Sequence, residues 1–364
     1  MNELYDRYDN ITAEQDEKRL KVKNCYISSP NLARILADIH RCRNMSKGSE
    51  YPECMLVLGE PGSGKTTLIR EYLRLNPNRE ESERSIINVF SSEFPDKTVP
   101  REAAICFLQD LGHELSSRGL TEPELTRLLT NLMTHCGVQI SLLDEFQHLI
   151  ETKSYEVLED VAKWIKILIN RSNLPVVLFG MPYSNIILNC DDALAGRFMI
   201  QRKIEPFRII NKEQRQEFRA FLKVFNDSLP FSKKPGLHKL EFYSRLFAFS
   251  KGNMRRLRVL INYAAEEAIL NQDDELNMEH FKAGYHYYMQ NITEKDQIDS
   301  TEKIESQPNP FDVPVEELEF KQMESASYWK MDARKGEPRI AQAKYTRAVP
   351  LRSIEPLRSL LKRR

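Results

Sequence analysis

Three things are scarce in this chain of 364 residues, and each scarcity removes a class of function. Net charge is the first: 53 Lys and Arg stand against 53 Asp and Glu, so the molecule as a whole carries no polyelectrolyte signal for nucleic acid. Paired cysteine is the second. Cys25, Cys42, Cys54, Cys106, Cys136 and Cys190 fall singly, with no C-x-x-C pair, which argues against a disulfide framework or a zinc site. Cys54 and Cys136 border apolar runs and are expected to pack as small hydrophobes. The third is the long apolar run: no stretch reaches the roughly 18 residues that a membrane span needs. The opening Met1 to Asp9 has neither a basic n-region nor an apolar h-region, so a soluble, cytoplasmic chain without a membrane partner is expected. Internal repeats are absent as well.

What is present is sharply organised. Gly59-Glu60-Pro61-Gly62-Ser63-Gly64-Lys65-Thr66-Thr67 fits G-x-x-x-x-G-K-[ST], the loop that cradles nucleotide phosphates. Its glycines let backbone N–H groups turn onto phosphate oxygens, Lys65 supplies a point charge, and Thr66 offers a hydroxyl to Mg²⁺. The context agrees. Cys54 to Leu58 is an apolar run of strand length, and Thr67 to Leu73 reads as the start of a helix with Leu68, Tyr72 and Leu75 on one face. A helix N-terminus then meets the anion.

Further strands are expected at Ser85–Phe90, Val138–Leu143, Pro175–Gly180 and Met199–Ile204. Helices fit between them at Arg101–Leu115, Glu122–His135 and Tyr155–Asn170, after a leading helix from Pro30 to Arg43. Alternation of this kind implies an α/β fold, a five-stranded parallel sheet with helices on both faces. From Pro206 the pattern becomes helical only, at 211–226, 237–249, 253–271 and 278–290, which reads as a small helical lid domain. The expected division is 1–50 arm and helix, 51–205 α/β domain, 206–290 lid, and 291–364 a largely flexible, partner-binding tail. That tail holds ten acidic and three basic residues over 291–327, then three acidic and ten basic over 331–364, and little of it is expected to be buried.

The chemistry is concentrated in a few positions. Asp144 and Glu145 directly follow the apolar strand Ile140 to Leu143. In a parallel sheet that strand end faces the crevice holding the phosphate loop. Asp144 then holds Mg²⁺, and Glu145 orients and deprotonates the attacking water. An acidic helix cap after a core strand has the same two letters, and the phosphate loop decides between them. Arg197, before the fifth strand, is either a finger that stabilises phosphoryl charge in a neighbouring subunit or a surface arginine in a salt bridge, with Arg202 a second candidate. Gly252-Asn253 makes a tight entry to a lid helix on which Arg255 reaches the nucleotide phosphates, while one of Arg255 and Arg256 is simply solvated.

Taken in order, the phosphate loop, the Asp-Glu strand, the arginine before strand five and Gly-Asn-x-Arg in a helical lid resemble the AAA+ ATPases. Within them the chain is most similar to the TniB/TnsC family of Tn7-like transposons, over roughly residues 20–290. Supporting residues are Tyr26-Ile27-Ser28-Ser29-Pro30, Asp144-Glu145-Phe146-Gln147-His148-Leu149 and Phe179-Gly180-Met181-Pro182. The family often carries His where Gln147 stands, and no polar sensor follows the fourth strand until Tyr183, Ser184 and Asn185. The resemblance implies an ATP- and Mg²⁺-dependent regulator that assembles as a ring or filament on duplex DNA without reading sequence. It also implies coupling of a target selector of TniQ/TnsD type to transposase subunits, with slow hydrolysis controlling disassembly. In the loop Ser91 to Arg101, the residues Lys97, Thr98 and Arg101 are the matching DNA contacts, or else the loop is an ordinary polar one. Arg352, Arg358, Lys362, Arg363 and Arg364 around Leu351, Leu357, Leu360 and Leu361 form a basic amphipathic piece that docks on a transposase, touches DNA or merely solubilises. Two rivals stand beside this reading. One is an initiator or clamp-loader AAA+ protein, marked by a C-terminal winged helix; the other is a weakly hydrolysing, nucleotide-gated adaptor.

Overall fold

The structure, a computed structural model, describes residues 8–80, 85–113, 119–150, 155–291, 308–325 and 346–350. The chain divides into two compact units. One is Pro30–Glu205; the other joins the described residues before Pro30 to Pro206–Ser325 and the strand Thr346–Pro350.

The first unit is built on β1 (Met55–Gly59), β2 (Val89–Glu93), β3 (Ile140–Asp144), β4 (Val176–Gly180) and β5 (Ile200–Ile204). All neighbours are parallel and the order is β2-β3-β4-β1-β5. Every residue of β1, β3 and β4 is buried, as their unbroken Val, Leu and Ile runs require of strands covered on both faces. β5 alternates, with Gln201 and Lys203 outward, which suits the sheet edge. The leading helix runs Pro30–Met45, buries Leu32, Ile35, Ile39 and Cys42, and is fastened to β5 by Asp38 and Arg202 at 2.6 Å.

Two local expectations need correction. The strand expected over 85–90 is split: Ser85–Ile86 pairs antiparallel with Arg79–Glu80, and the sheet strand begins only at Val89. Asn88 makes the break, because its side chain donates to Pro77 O at 3.1 Å and accepts from Gln139 Nε2 at 3.2 Å. Leu75 ends its helix exposed at 55%, so the face buried by Lys65–Leu75 is Leu68, Ile69 and Tyr72.

The second unit packs the helices Ala13–Asn24, Lys212–Ser228, Leu240–Ser250, Met254–Leu270 and Met278–Asn291. Its core is aromatic, with Phe207, Phe218, Phe221, Tyr243 and Phe247 in mutual contact. Ala13–Asn24 opens with a Thr12–Gln15 capping box and is not a loose arm. Gln15 donates to Ile269 O at 2.9 Å, and Arg258 donates to Val22 O at 3.1 Å and Lys23 O at 3.0 Å.

The start of the tail also departs from expectation. Phe311, Leu318 and Phe320 are buried in the helical unit, Phe311 stacking on Phe281 at 5.3 Å. Buried Arg245 donates to Pro310 O at 2.5 Å and Val313 O at 2.6 Å, so a strap rich in proline and acid is held by its own backbone carbonyls. A two-stranded antiparallel ladder, Lys321–Ser325 with Thr346–Pro350, follows. The basic piece from Leu351 to Arg364 lies outside the described residues. No helix among the described residues is long and apolar enough to cross a membrane.

Candidate nucleotide site

The phosphate loop leaves β1 at Gly59 and enters the helix Lys65–Leu75 through Gly64, the N-cap residue, at φ 101°. Gly62 also has positive φ, 77°, a backbone region that a side chain disfavours. Gly59 has no room for a side chain: a Cβ there would lie 2.4 Å from Ser63 Oγ. Lys65 is buried at 7% exposure, and its ammonium donates to Gly59 O at 2.7 Å and Glu60 O at 3.4 Å. Ser63 Oγ is buried without a hydrogen-bond partner. An orphaned hydroxyl beside a buried ammonium and a helix N-terminus is the polarity that an incoming polyphosphate satisfies.

Thr66 and Asp144 come together as expected, with Thr66 Oγ1 donating to Asp144 Oδ2 at 2.8 Å. Parallel pairing puts the ends of β1 and β3 on one side of the sheet, and helix Lys65–Leu75 carries the hydroxyl across to the carboxylate. Burial pushes the Asp144 carboxyl above its usual range, partly offset by hydrogen bonds from Thr66 and from the Glu145 N–H. A hydroxyl and a carboxylate are hard oxygen donors, and two protein ligands suit Mg²⁺, which keeps water and phosphate for its remaining positions.

Glu145 follows at φ 54°, a left-handed conformation that costs a non-glycine residue on the order of 1–3 kcal/mol. Its N–H donates to Asp144 Oδ1 at 2.9 Å and its carbonyl accepts from His148 N at 3.0 Å. Its carboxylate accepts a hydrogen bond from Gln147 Nε2. Gln147 in turn accepts from Met181 N at 3.2 Å, at the end of β4. Of the three residues considered for a sensor after β4, Ser184 is fully buried with an unpartnered hydroxyl, Tyr183 is buried and Asn185 is exposed. The side chain that joins the end of β4 to Glu145 is Gln147. The sequence marks it only as a long amide two residues past the carboxylate.

Arg197 closes a short helix, Asp192–Arg197, and its carbonyl accepts from Cys54 N at 3.2 Å. It therefore sits where β1 begins, at the opposite end of the sheet from the loop that leaves β1, about 16 Å away at ~3.3 Å per strand residue. Its guanidinium donates to Asn170 Oδ1 at 2.5 Å and to Ala193 O at 3.4 Å. Arg202 is paired with Asp38 and drops out as an alternative.

Arg255 belongs to the other unit, exposed on the first turn of Met254–Leu270, whose N-cap Asn253 accepts from Arg256 N at 3.1 Å. Arg256 is half-buried over Phe249, its guanidinium carbon 5.1 Å from the ring centre, so Arg255 is the solvated member of the pair. After β2, Lys97 in the loop and Arg101 on the first turn of the helix Pro100–Asp110 are exposed, but Thr98 is fully buried and its hydroxyl donates to Val99 O at 3.3 Å. Thr98 faces the protein interior, which corrects its assignment as a DNA contact.

Comparison with known proteins agrees with this geometry. The model of a family described as "Bacterial TniB protein" matches residues 20–208, more than half of the chain. No curated protein matches. Among solved structures, the Orc1 protein of Aeropyrum pernix in complex with DNA is similar at 17% identity and TM-score 0.51, over 77% of this chain and 70% of that one. Cdc6p from Pyrobaculum aerophilum gives 15% identity and TM-score 0.53, over 76% of this chain and 73% of that one. The Aeropyrum pernix ORC2 protein, solved in ADPNP–ADP complexes, gives 14% and 0.51, over 77% of this chain and 76% of that one. At these identities the likeness is one of fold alone.

Proposed function

From the premise that this chain belongs to the bacterial TniB family, we propose that it is an ATP-dependent regulator of transposition. It assembles on target duplex DNA, couples a target-selection protein of TniQ/TnsD type to the transposase, and uses ATP hydrolysis to control its own disassembly. The observation that carries the reading is the junction of Thr66 and Asp144 at 2.8 Å, which brings the phosphate loop and the Asp-Glu pair to one crevice. The DNA bound by the Aeropyrum pernix Orc1 protein and the ADPNP and ADP bound by its ORC2 protein support the choice of DNA and ATP.

In this reading Lys65 swings from the Gly59 and Glu60 carbonyls onto the β- and γ-phosphates, and Ser63 gains a partner. Thr66 and Asp144 hold Mg²⁺, which when bound offsets phosphate charge. Glu145 accepts a proton from water as the water oxygen bonds to the γ-phosphorus and the bridging oxygen leaves with ADP. Arg197 stands too far from its own loop to take part and serves the nucleotide of an adjacent copy. Arg255 reports the nucleotide state to the lid.

Glu145→Gln tests the cycle. Nucleotide binding persists, turnover falls by roughly 10²- to 10⁴-fold, and filaments on duplex DNA, timed by electron microscopy or light scattering, outlive those of the wild type. Unchanged turnover and unchanged lifetime together would sink the proposal. An initiator role is a second reading, favoured by the Orc1 and Cdc6 likenesses. The described residues after Asn291 form a strap on the helical unit and a two-stranded ladder.

A further inference from the structure

The four-residue helix Gln147–Ile150 lies directly beyond the Asp-Glu pair. Gln147 is buried at 5% exposure, and both ends of its amide are engaged. Nε2 donates to Glu145 Oε2, and Oε1 accepts the Met181 N–H at 3.2 Å. This orientation of the amide is dictated by its partners, since an ionised carboxylate only accepts and a backbone N–H only donates. Phe146 N donates to Phe179 O at 2.8 Å, so the same turn is anchored to β4 by its backbone as well.

Glu145 needs such support. Its backbone is locked in the left-handed region, but a glutamate side chain has three rotatable bonds and loses much rotamer freedom when ordered. A base must be aimed to within a fraction of an ångström, and misplacement by about 1 Å costs around 10²-fold in rate. Strand β4 lies between β3, which carries Asp144, and β1, which carries the phosphate loop. The Met181 tether therefore references the carboxylate to the strand beside the nucleotide.

We propose that Gln147 is a positioning residue for hydrolysis, its amide N–H holding the Glu145 carboxylate toward the attacking water while its amide oxygen ties that arm to the end of β4. The proposal rests on the ATPase reading of the site. Gln147 neither gives nor takes a proton: that proton passes from water to Glu145, one carboxylate oxygen being occupied by the amide and the other free to receive it.

The test uses the full chain in four forms: wild type, Glu145→Gln, Gln147→Ala and Gln147→Glu. Gln147→Glu keeps the length of the side chain and the acceptor toward Met181, replaces the donor toward Glu145 by a second carboxylate oxygen and adds negative charge beside the base. Steady-state ATP turnover is measured alongside binding of a fluorescent, slowly hydrolysed ATP analogue, which also verifies the fold. Both Gln147 variants are expected to lower kcat by roughly 10- to 100-fold, with KM and analogue affinity unchanged. Wild-type kcat in Gln147→Glu, with Glu145→Gln inactive, overturns the positioning role and leaves the ATPase reading standing. Parallel loss of kcat and analogue affinity in both variants assigns Gln147 to structure alone and likewise overturns it. Equal turnover in wild type and Glu145→Gln removes the ATPase reading and this proposal with it.

Discussion

Cys54 stands one residue before β1, fully buried, with its sulfur accepting the Val176 N–H at 3.4 Å. Burial pushes its thiol from the ordinary 9.0 up to about 12, and that of Cys42 up to about 11. A raised pKa keeps the thiol neutral, so at pH 8 the Cys54 thiolate is on the order of one part in 10⁴. In the folded protein at pH 8, iodoacetamide should therefore leave Cys42 and Cys54 unmodified while reaching half-buried Cys25 and Cys190, as read by peptide mass spectrometry. Denaturation should make all six reactive. The same shifts give stability that is complete below pH 9 and declines as pH rises toward the folded-state values. At this scale the sequence is readable where a residue type has one job. Lys65 lies against the Gly59 and Glu60 carbonyls and Thr66 is bonded to Asp144, so the residues singled out from their letters do meet in one crevice. Thr98 and Gln147 were not assignable, because burial and side-chain reach are set by the neighbouring strands, not by nearby letters.

Among the elements, the entry to the helix that bears Arg255 is the most constrained. Lys251 ends the preceding helix in the left-handed conformation at φ 54°, and Gly252 continues at φ 85°. A Cβ on Gly252 would lie 2.0 Å from Phe207 O, whose own N–H donates to Gly252 O at 2.9 Å. Gly252→Ala should thus destabilise the helical unit by about 3 kcal/mol or more, since the clash is with backbone and the φ is strained as well. Urea unfolding followed by circular dichroism gives the value. A change below about 0.5 kcal/mol, the range of a neutral surface substitution, would contradict the geometry. The longer helices were legible from their periods and caps, and the glycine loop from its strand and helix. Other elements were not. Asn88 splits an apolar run through contacts to Pro77 and Gln139 that are distant in sequence, and the strap around Phe311 is polar enough on average to read as loose chain. Its order comes from buried Arg245 donating to the Pro310 and Val313 carbonyls and from Phe311, Leu318 and Phe320 packed into the helical unit.

For the molecule as a whole, the absence of net charge means that DNA is held by local charge or not at all. Lys97, in the loop after β2, and Arg101, at the start of the helix Pro100–Asp110, are exposed, and Thr98 is not. Lys97→Ala should weaken binding to unrelated duplexes to a similar degree and lower the slope of log K against log salt by about 1. Thr98→Val should leave that slope as it is. Fluorescence anisotropy over a salt series separates the two, and an unchanged slope for Lys97→Ala would move the DNA contact elsewhere.

Arg197 lies at the start of β1 and the phosphate loop at its end, so in the proposed assembly the α/β unit has its donor at one pole and its acceptor at the other. Copies joined donor to acceptor are related head to tail, and such contacts either close into a ring or run on as a helix. An open polymer of this kind has two unlike tips. One terminal copy holds nucleotide with no arginine supplied to it, and the other presents an arginine with no nucleotide to meet. Under the proposed function, hydrolysis would proceed everywhere except at one identifiable tip, so loss of subunits would carry a direction along the DNA.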